Sequence, residues 1–279
     1  VEKEDNQRIQ EHLERIQNLC LADPTLQDEV LQYALEIQGE IPEIKIPETE
    51  PDLSDVPLDK RSQQLLKTSK YYSKKCKPLK SDHPSLSLYT SVLTNLKGSC
   101  SYNEALCLKL KCIVYCIIHK DEVLNQNKDQ KWISELSDNF SENIQNVQNL
   151  SSFLEIETLC HVLSVSIRTV KIEGKNCSLE DGVLYNDIFG QNRAGDSNLG
   201  LSKVVTLMYS STKRENAFDF AYNKFVPLVP VDPVKFAFNN NGDLSPENDL
   251  TEEDKKVLDY QKNLLAAYQK KNAKKVQND

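Results

Sequence analysis

The sequence predicts an α+β protein, a small sheet packed by helices, with helical extensions at both ends. Two observations carry that expectation. Apolar residues recur at helical spacing through the first part of the chain, and from residue 165 the period changes to the alternation of a strand. Helices come first and strands late, the order expected of segregated α+β packing.

Residues 5–37 read as two acidic amphipathic helices. Ile9, Leu13, Ile16 and Leu19 mark one apolar face, and Leu26, Val30, Leu31, Tyr33 and Ala34 mark the other. Four prolines within residues 41–57 exclude regular structure, so an extended linker or strap is expected there. Residues 60–78 are basic and polar and predict a surface helix ending near Pro78. The core is expected to begin around Asp82. Helices are predicted over 103–119, 130–147 and 151–164, followed by strands at 165–172, 203–209 and 224–229. Residues 173–202 hold the Gly, Asn and Asp of a long loop. A polar turn then leads to a helix over 251–272, with acidic residues at its start and lysines at its end, as the helix dipole favours. The domain boundaries expected are 1–40 for a helical extension, 41–81 for linker and basic helix, 82–232 for the main domain, and 233–279 for turn and closing helix.

A chain of 279 residues with 39% hydrophobic and 27% charged residues can bury a full core. Its net charge of −8 argues against nucleic acid as a partner, because phosphate binding needs a concentrated basic surface. The basic stretch 69–80, with Tyr71 and Tyr72, reads instead as a solvated face or a contact for an acidic protein. No apolar run approaches the roughly 20 residues of a membrane span. The first ten residues are charged and unlike a signal peptide. Several of the eight cysteines lie in apolar helical stretches, which predicts free thiols in a reducing, intracellular compartment.

Chemistry concentrates around Cys100. Gly98, Ser99 and Cys100 form a turn directly ahead of an apolar helix, where unpaired N–H groups would favour a thiolate and stabilise an oxyanion. The bland alternative is a loop cysteine of no consequence. Cys107, Cys112, Cys116 and His119 invite a metal reading. Their offsets on one helix spread around the axis, so they read as core thiols, and no metal or cofactor is expected. His161 reads as a structural histidine.

The segment Gly98-Ser99-Cys100-Ser101-Tyr102-Asn103-Glu104-Ala105-Leu106 resembles the nucleophile segment of the ovarian-tumour (OTU) family of cysteine deubiquitinases. There an Asp-Gly-Asn-Cys core precedes an aromatic residue and an Ala-Leu pair entering the central helix. Residues 154–167 are similar to the family's helix-then-strand unit, and 204–209 to its penultimate strand. Residues 223–230 are similar to the closing strand, which in the family opens on the catalytic His and an aromatic residue. The resemblance covers about residues 82–230 and implies an OTU-like, papain-superfamily fold. It places Cys100 at the nucleophile position, Gly98 and Ser99 at the oxyanion turn, and Lys224 at the position of the general base. Lysine, with an ordinary pKa near 10.4, is a poor base at neutral pH. The family's third, acidic member would fall at Lys97 or Val226, neither a carboxylate. His12, His83, His119 and His161 lie outside the closing strand, and His83 would reach the site only through a departure from the fold.

What the resemblance implies is therefore a pseudoprotease: an inactive OTU-like scaffold binding ubiquitin, a ubiquitin-like protein or another protein, in a cytoplasm of its own or of a host. The N-terminal helices are candidates for docking and self-association. The alternatives are an active deubiquitinase with Cys100 and an unrecognised base, and a helical interaction protein unrelated to the family. The separation of Cys100 and Lys224 bears most directly on the choice.

Overall fold

The computed structural model describes residues 2–22, 27–69, 72–81, 83–119, 123, 153–172, 188–190, 203–210 and 224–231. The helices expected at 130–147 and 251–272, most of the loop 173–202 and Cys177 lie outside the described residues. The chain divides into two units, Val1–Lys235 and Phe236–Asp279, and every described residue belongs to the first.

The described residues combine helices with a small mixed sheet, an α+β architecture. Helices α1 (Glu2–Ala22) and α2 (Gln27–Ile37) turn Ile9, Leu13, Ile16, Val30, Tyr33, Ala34 and Ile37 inward. These side chains join one core with α6 (Tyr102–Ile118), so the N-terminal extension is part of the same packed body. The strap across 41–57 is extended, and Ile41, Ile44 and Ile46 pack against that core.

The predicted basic helix 60–78 is three elements instead of one: α3 (Lys60–Leu66), α4 (Tyr72–Lys75) and β1 (Cys76–Pro78). The break has a local cause. The Thr68 hydroxyl donates to the Leu65 carbonyl, while the Ser69 hydroxyl accepts from Tyr72 N–H and starts a new turn.

Helix α5 (Ser87–Lys97) was not expected and is central to the fold. Leu88, Tyr89, Val92, Leu93 and Leu96 are buried at helical spacing. It ends on Gly98, whose φ of 83° lies in the left-handed region and whose N–H returns to the Thr94 carbonyl. Helix α7 (Phe153–Leu163) follows α6 among the described helices and leads into β2 (Ser166–Val170).

With β3 (Ile188–Phe189), β4 (Val204–Ser210) and β5 (Lys224–Pro230), the sheet runs in the order β1-β5-β4-β2-β3. Strands β2 and β4 are parallel, and the other neighbours are antiparallel. The three strands predicted from alternation thus lie side by side. β1 and β3 extend the sheet and were too short to read from a period. Alternation divides the strand residues between two layers. Val205, Leu207, Tyr209 and Phe225 join the main core with α5, whereas Val170, Met208, Val226 and Leu228 pack with Leu66 of α3.

Candidate functional site

The turn ahead of α6 is built by its own sequence. Ser101 caps the helix, accepting from Glu104 N–H at 3.2 Å, and the Glu104 carboxylate accepts from Ser101 N–H at 3.0 Å, a reciprocal capping box. Lys97 forms an ion pair with the same carboxylate. At the helix end that was expected to activate Cys100, the Glu104 N–H is therefore taken by the cap.

The Cys100 thiol donates to the Ser101 carbonyl at 3.2 Å. Burial and the nearby Glu104 carboxylate push its pKa up to about 12, and Lys97 with the Ala105 N–H only partly offsets them. The expectation of a thiolate favoured by a helix N-terminus is thereby corrected. Desolvation and a like charge outweigh Lys97 and the Ala105 N–H, and the group is a neutral thiol at pH 7. Gly98 and Ser99 lead into the turn as expected. Gly98 packs so closely under the strap that a Cβ there would stand 3.2 Å from Pro51 Cβ.

Lys224 opens β5. Its ammonium lies 2.6 Å from the Asp59 carboxylate. The other oxygen of Asp59 accepts from Ser62 N–H at 2.8 Å and so caps α3. Burial works to raise the Asp59 pKa, but the hydrogen bonds from Lys224 and Ser62 win and hold it below the ordinary carboxylate range.

Cys100 and Lys224 are held by different partners. Phe225, next to Lys224, donates its N–H to the Ser87 hydroxyl at 3.0 Å and accepts from the Ser91 hydroxyl at 3.0 Å. The start of β5 is thus fastened to the first turns of α5, whereas Cys100 follows the last turn. No hydrogen bond links Cys100 with Lys224, and the charges acting on the thiol are Glu104 and Lys97. The side chain that meets the opening of β5 is Ser87, a hydroxyl that sequence reading missed together with its helix. The signal lay in the apolar spacing of Leu88, Val92 and Leu96 behind a serine.

The remaining candidates fall elsewhere. Lys97 is paired with Glu104, and Val226 is fully buried in the sheet. His83, with a left-handed φ of 57°, sets its ring edge-on to Tyr102 at 5.0 Å, so it does approach the Cys100 segment. No hydrogen bond joins His83 to Cys100 among the described residues. His119 stacks on Tyr115 at 4.3 Å, and His161 lies 3.8 Å from Glu157. Cys76, Cys100, Cys107, Cys112, Cys116 and Cys160 are thiols outside any disulfide. Among the described residues no group of His, Cys, Asp and Glu is placed to hold a metal ion, and no helix is long and apolar enough to cross a membrane. No family model matches the chain, and no curated protein matches it.

Proposed function

We propose that this chain is a non-catalytic, OTU-like scaffold of the papain superfamily that binds a protein partner, with ubiquitin or a ubiquitin-like protein as the first candidate. The observation that carries the reading is the Lys224–Asp59 pair. At the position where the resemblance calls for a general base stands an ammonium committed to a buried carboxylate. A group so held cannot accept a proton from a thiol. The raised Cys100 pKa points the same way. The sheet joining β2, β4 and β5 speaks against a purely helical protein, and it packs on α5, the neighbour of the Cys100 helix. Largely buried thiols outside any disulfide suit a reducing cytoplasm.

The test combines cleavage with binding. The chain is incubated with ubiquitin chains and with a ubiquitin-derived electrophilic probe at neutral pH, and isotope-labelled ubiquitin is titrated with the chain. The expected result is neither cleavage nor labelling, with residue-specific shifts in the ubiquitin spectrum. Cleavage abolished by Cys100→Ala overturns the non-catalytic reading in favour of an active deubiquitinase.

A further inference from the structure

Charge is distributed very unevenly along this acidic chain. Residues 1–57 contain fifteen Asp and Glu against four Lys and Arg, while residues 58–80 contain eight Lys and Arg against one Asp. That one acid, Asp59, is buried against Lys224, so it does not moderate the surface.

The strap's end lies beside β1, where Lys77 acts on Asp52, but the acids of α2 lie away from the lysines of α3 and α4. α2 packs on α6, α6 on α5, and α5 on one face of the sheet. α3 covers the other face through Leu66. The outer face of α2 and the outer face of α3 and α4 are thus separated by the intervening layers. They cannot neutralise one another within one molecule.

Each face also has an apolar centre. On α2, Leu31 and Leu35 are 37% and 48% exposed, one turn apart, among the exposed acids Asp28, Glu29 and Glu36. Those three carboxylates form no ion pair among the described residues. On the other side, Lys60, Lys67 and Lys74 are exposed. Val231 is 56% exposed and donates its N–H to the carbonyl of Lys75, the residue after Lys74, at 2.9 Å.

We propose that the basic face of α3, α4 and β1 receives the acidic, leucine-bearing face of α2 from a second copy of this chain. Opposite charge steers the encounter and fixes the register, and the exposed leucines and Val231 supply the apolar contact at the centre. The second copy is the occupant because it presents both the complementary charge and the complementary apolar patch. This inference is independent of any resemblance to a protease.

The test uses the full chain and two surface variants, K60E/K67E/K74E and D28K/E29K/E36K, in sedimentation velocity. Circular dichroism confirms that both keep the helical content of the parent. The parent is expected to associate at about 0.01 M salt, where the screening length is about 30 Å, and to separate at about 1 M, where it is about 3 Å. Each variant alone is expected to be monomeric at low salt. An equimolar mixture of the two restores a 1:1 complex, since each supplies the face the other lacks. A parent that stays monomeric at low salt overturns the proposal, including one whose basic face captures a single-stranded oligonucleotide or an acidic peptide instead. Association that survives in both variants, or a mixture that fails to associate, overturns it equally.

Discussion

Lys224 and Asp59 form a buried ion pair that ties the start of β5 to the cap of α3, with 10% and 9% of the two side chains exposed. Asp59 serves two partners at once, Lys224 and the N–H of Ser62. Removing the ammonium leaves a buried carboxylate without its counter-charge, so Lys224→Met should cost about 3 kcal/mol in urea unfolding. The double variant K224M/D59N, which removes the orphan charge and keeps a capping oxygen, should recover much of that loss. The pair also has a pH signature. Because the folded pKa of Asp59 is depressed, its contribution is complete above the unfolded value of about 3.9. It is lost as pH falls through the depressed folded value. Lys224→Met should flatten that acid limb, and an unchanged limb would assign the acid sensitivity to other carboxylates.

Cys100 should be a slow nucleophile. With its pKa pushed up to about 12, almost none of the thiol is ionised at pH 7, so alkylation should lag far behind that of a small free thiol. Glu104 is the charge that raises it, and Lys97 the charge that would lower it. Glu104→Gln keeps the cap, removes the carboxylate and releases Lys97 from its ion pair. Peptide-level mass spectrometry with iodoacetamide should therefore record faster labelling of Cys100 in Glu104→Gln. Equal rates in the two proteins would show that burial alone sets the reactivity.

Much of this fold was legible because its long elements have strong periods. Ile9, Leu13 and Ile16 of α1 and the β-branched run of β2 fall where their spacing put them. Helix α5 was missed because serines and threonines interrupt its apolar stripe. In the folded chain those residues are buried and satisfied by specific partners, Ser87 and Ser91 by the backbone of Phe225 and Thr90 by Ser81. The pairings with Phe225 span more than a hundred residues and leave no local trace. The same holds for the site. Cys100 stood out because a glycine, a serine and a helix surround it, whereas Asp59, the partner that defines Lys224, lies 165 residues away in a segment that read as linker. A motif identifies residue types, but only tertiary packing decides which of them meet.

Gly98 ends α5 in a left-handed conformation directly beneath the strap. A Cβ there would meet Pro51 Cβ at 3.2 Å and the Asp52 carbonyl at 3.4 Å, in addition to the backbone strain of a positive φ. Gly98→Ala should cost about 1–2 kcal/mol from the backbone alone. Pro51 adds to that cost unless the strap shifts. The double variant Gly98→Ala with Pro51→Gly, which removes that Cβ, separates the two contributions when compared with Pro51→Gly alone. Gly98→Ala should lower the denaturation midpoint by less in the Pro51→Gly background than in the parent.

His12 makes the joint between α1 and α2 sensitive to mild acid. Its Nδ1 lies 2.7 Å from the Tyr33 hydroxyl, and Arg15 covers the Tyr33 ring at 4.4 Å. Burial lowers the His12 pKa. Glu40 and Glu11 act to raise it and Arg8 and Arg15 to lower it further, and the net direction is down. The unfolded chain therefore takes up a proton that the folded chain resists. The stabilisation is complete above the unfolded value of about 6.5 and is lost as pH falls through the depressed folded value. Unfolding free energy measured by urea titration should decline as pH drops below about 6.5, in a range where Asp and Glu remain ionised. In His12→Gln that decline should be reduced, since the amide keeps a hydrogen-bonding group near Tyr33 without titrating. A decline of the same slope in His12→Gln would place the acid sensitivity outside the α1–α2 joint.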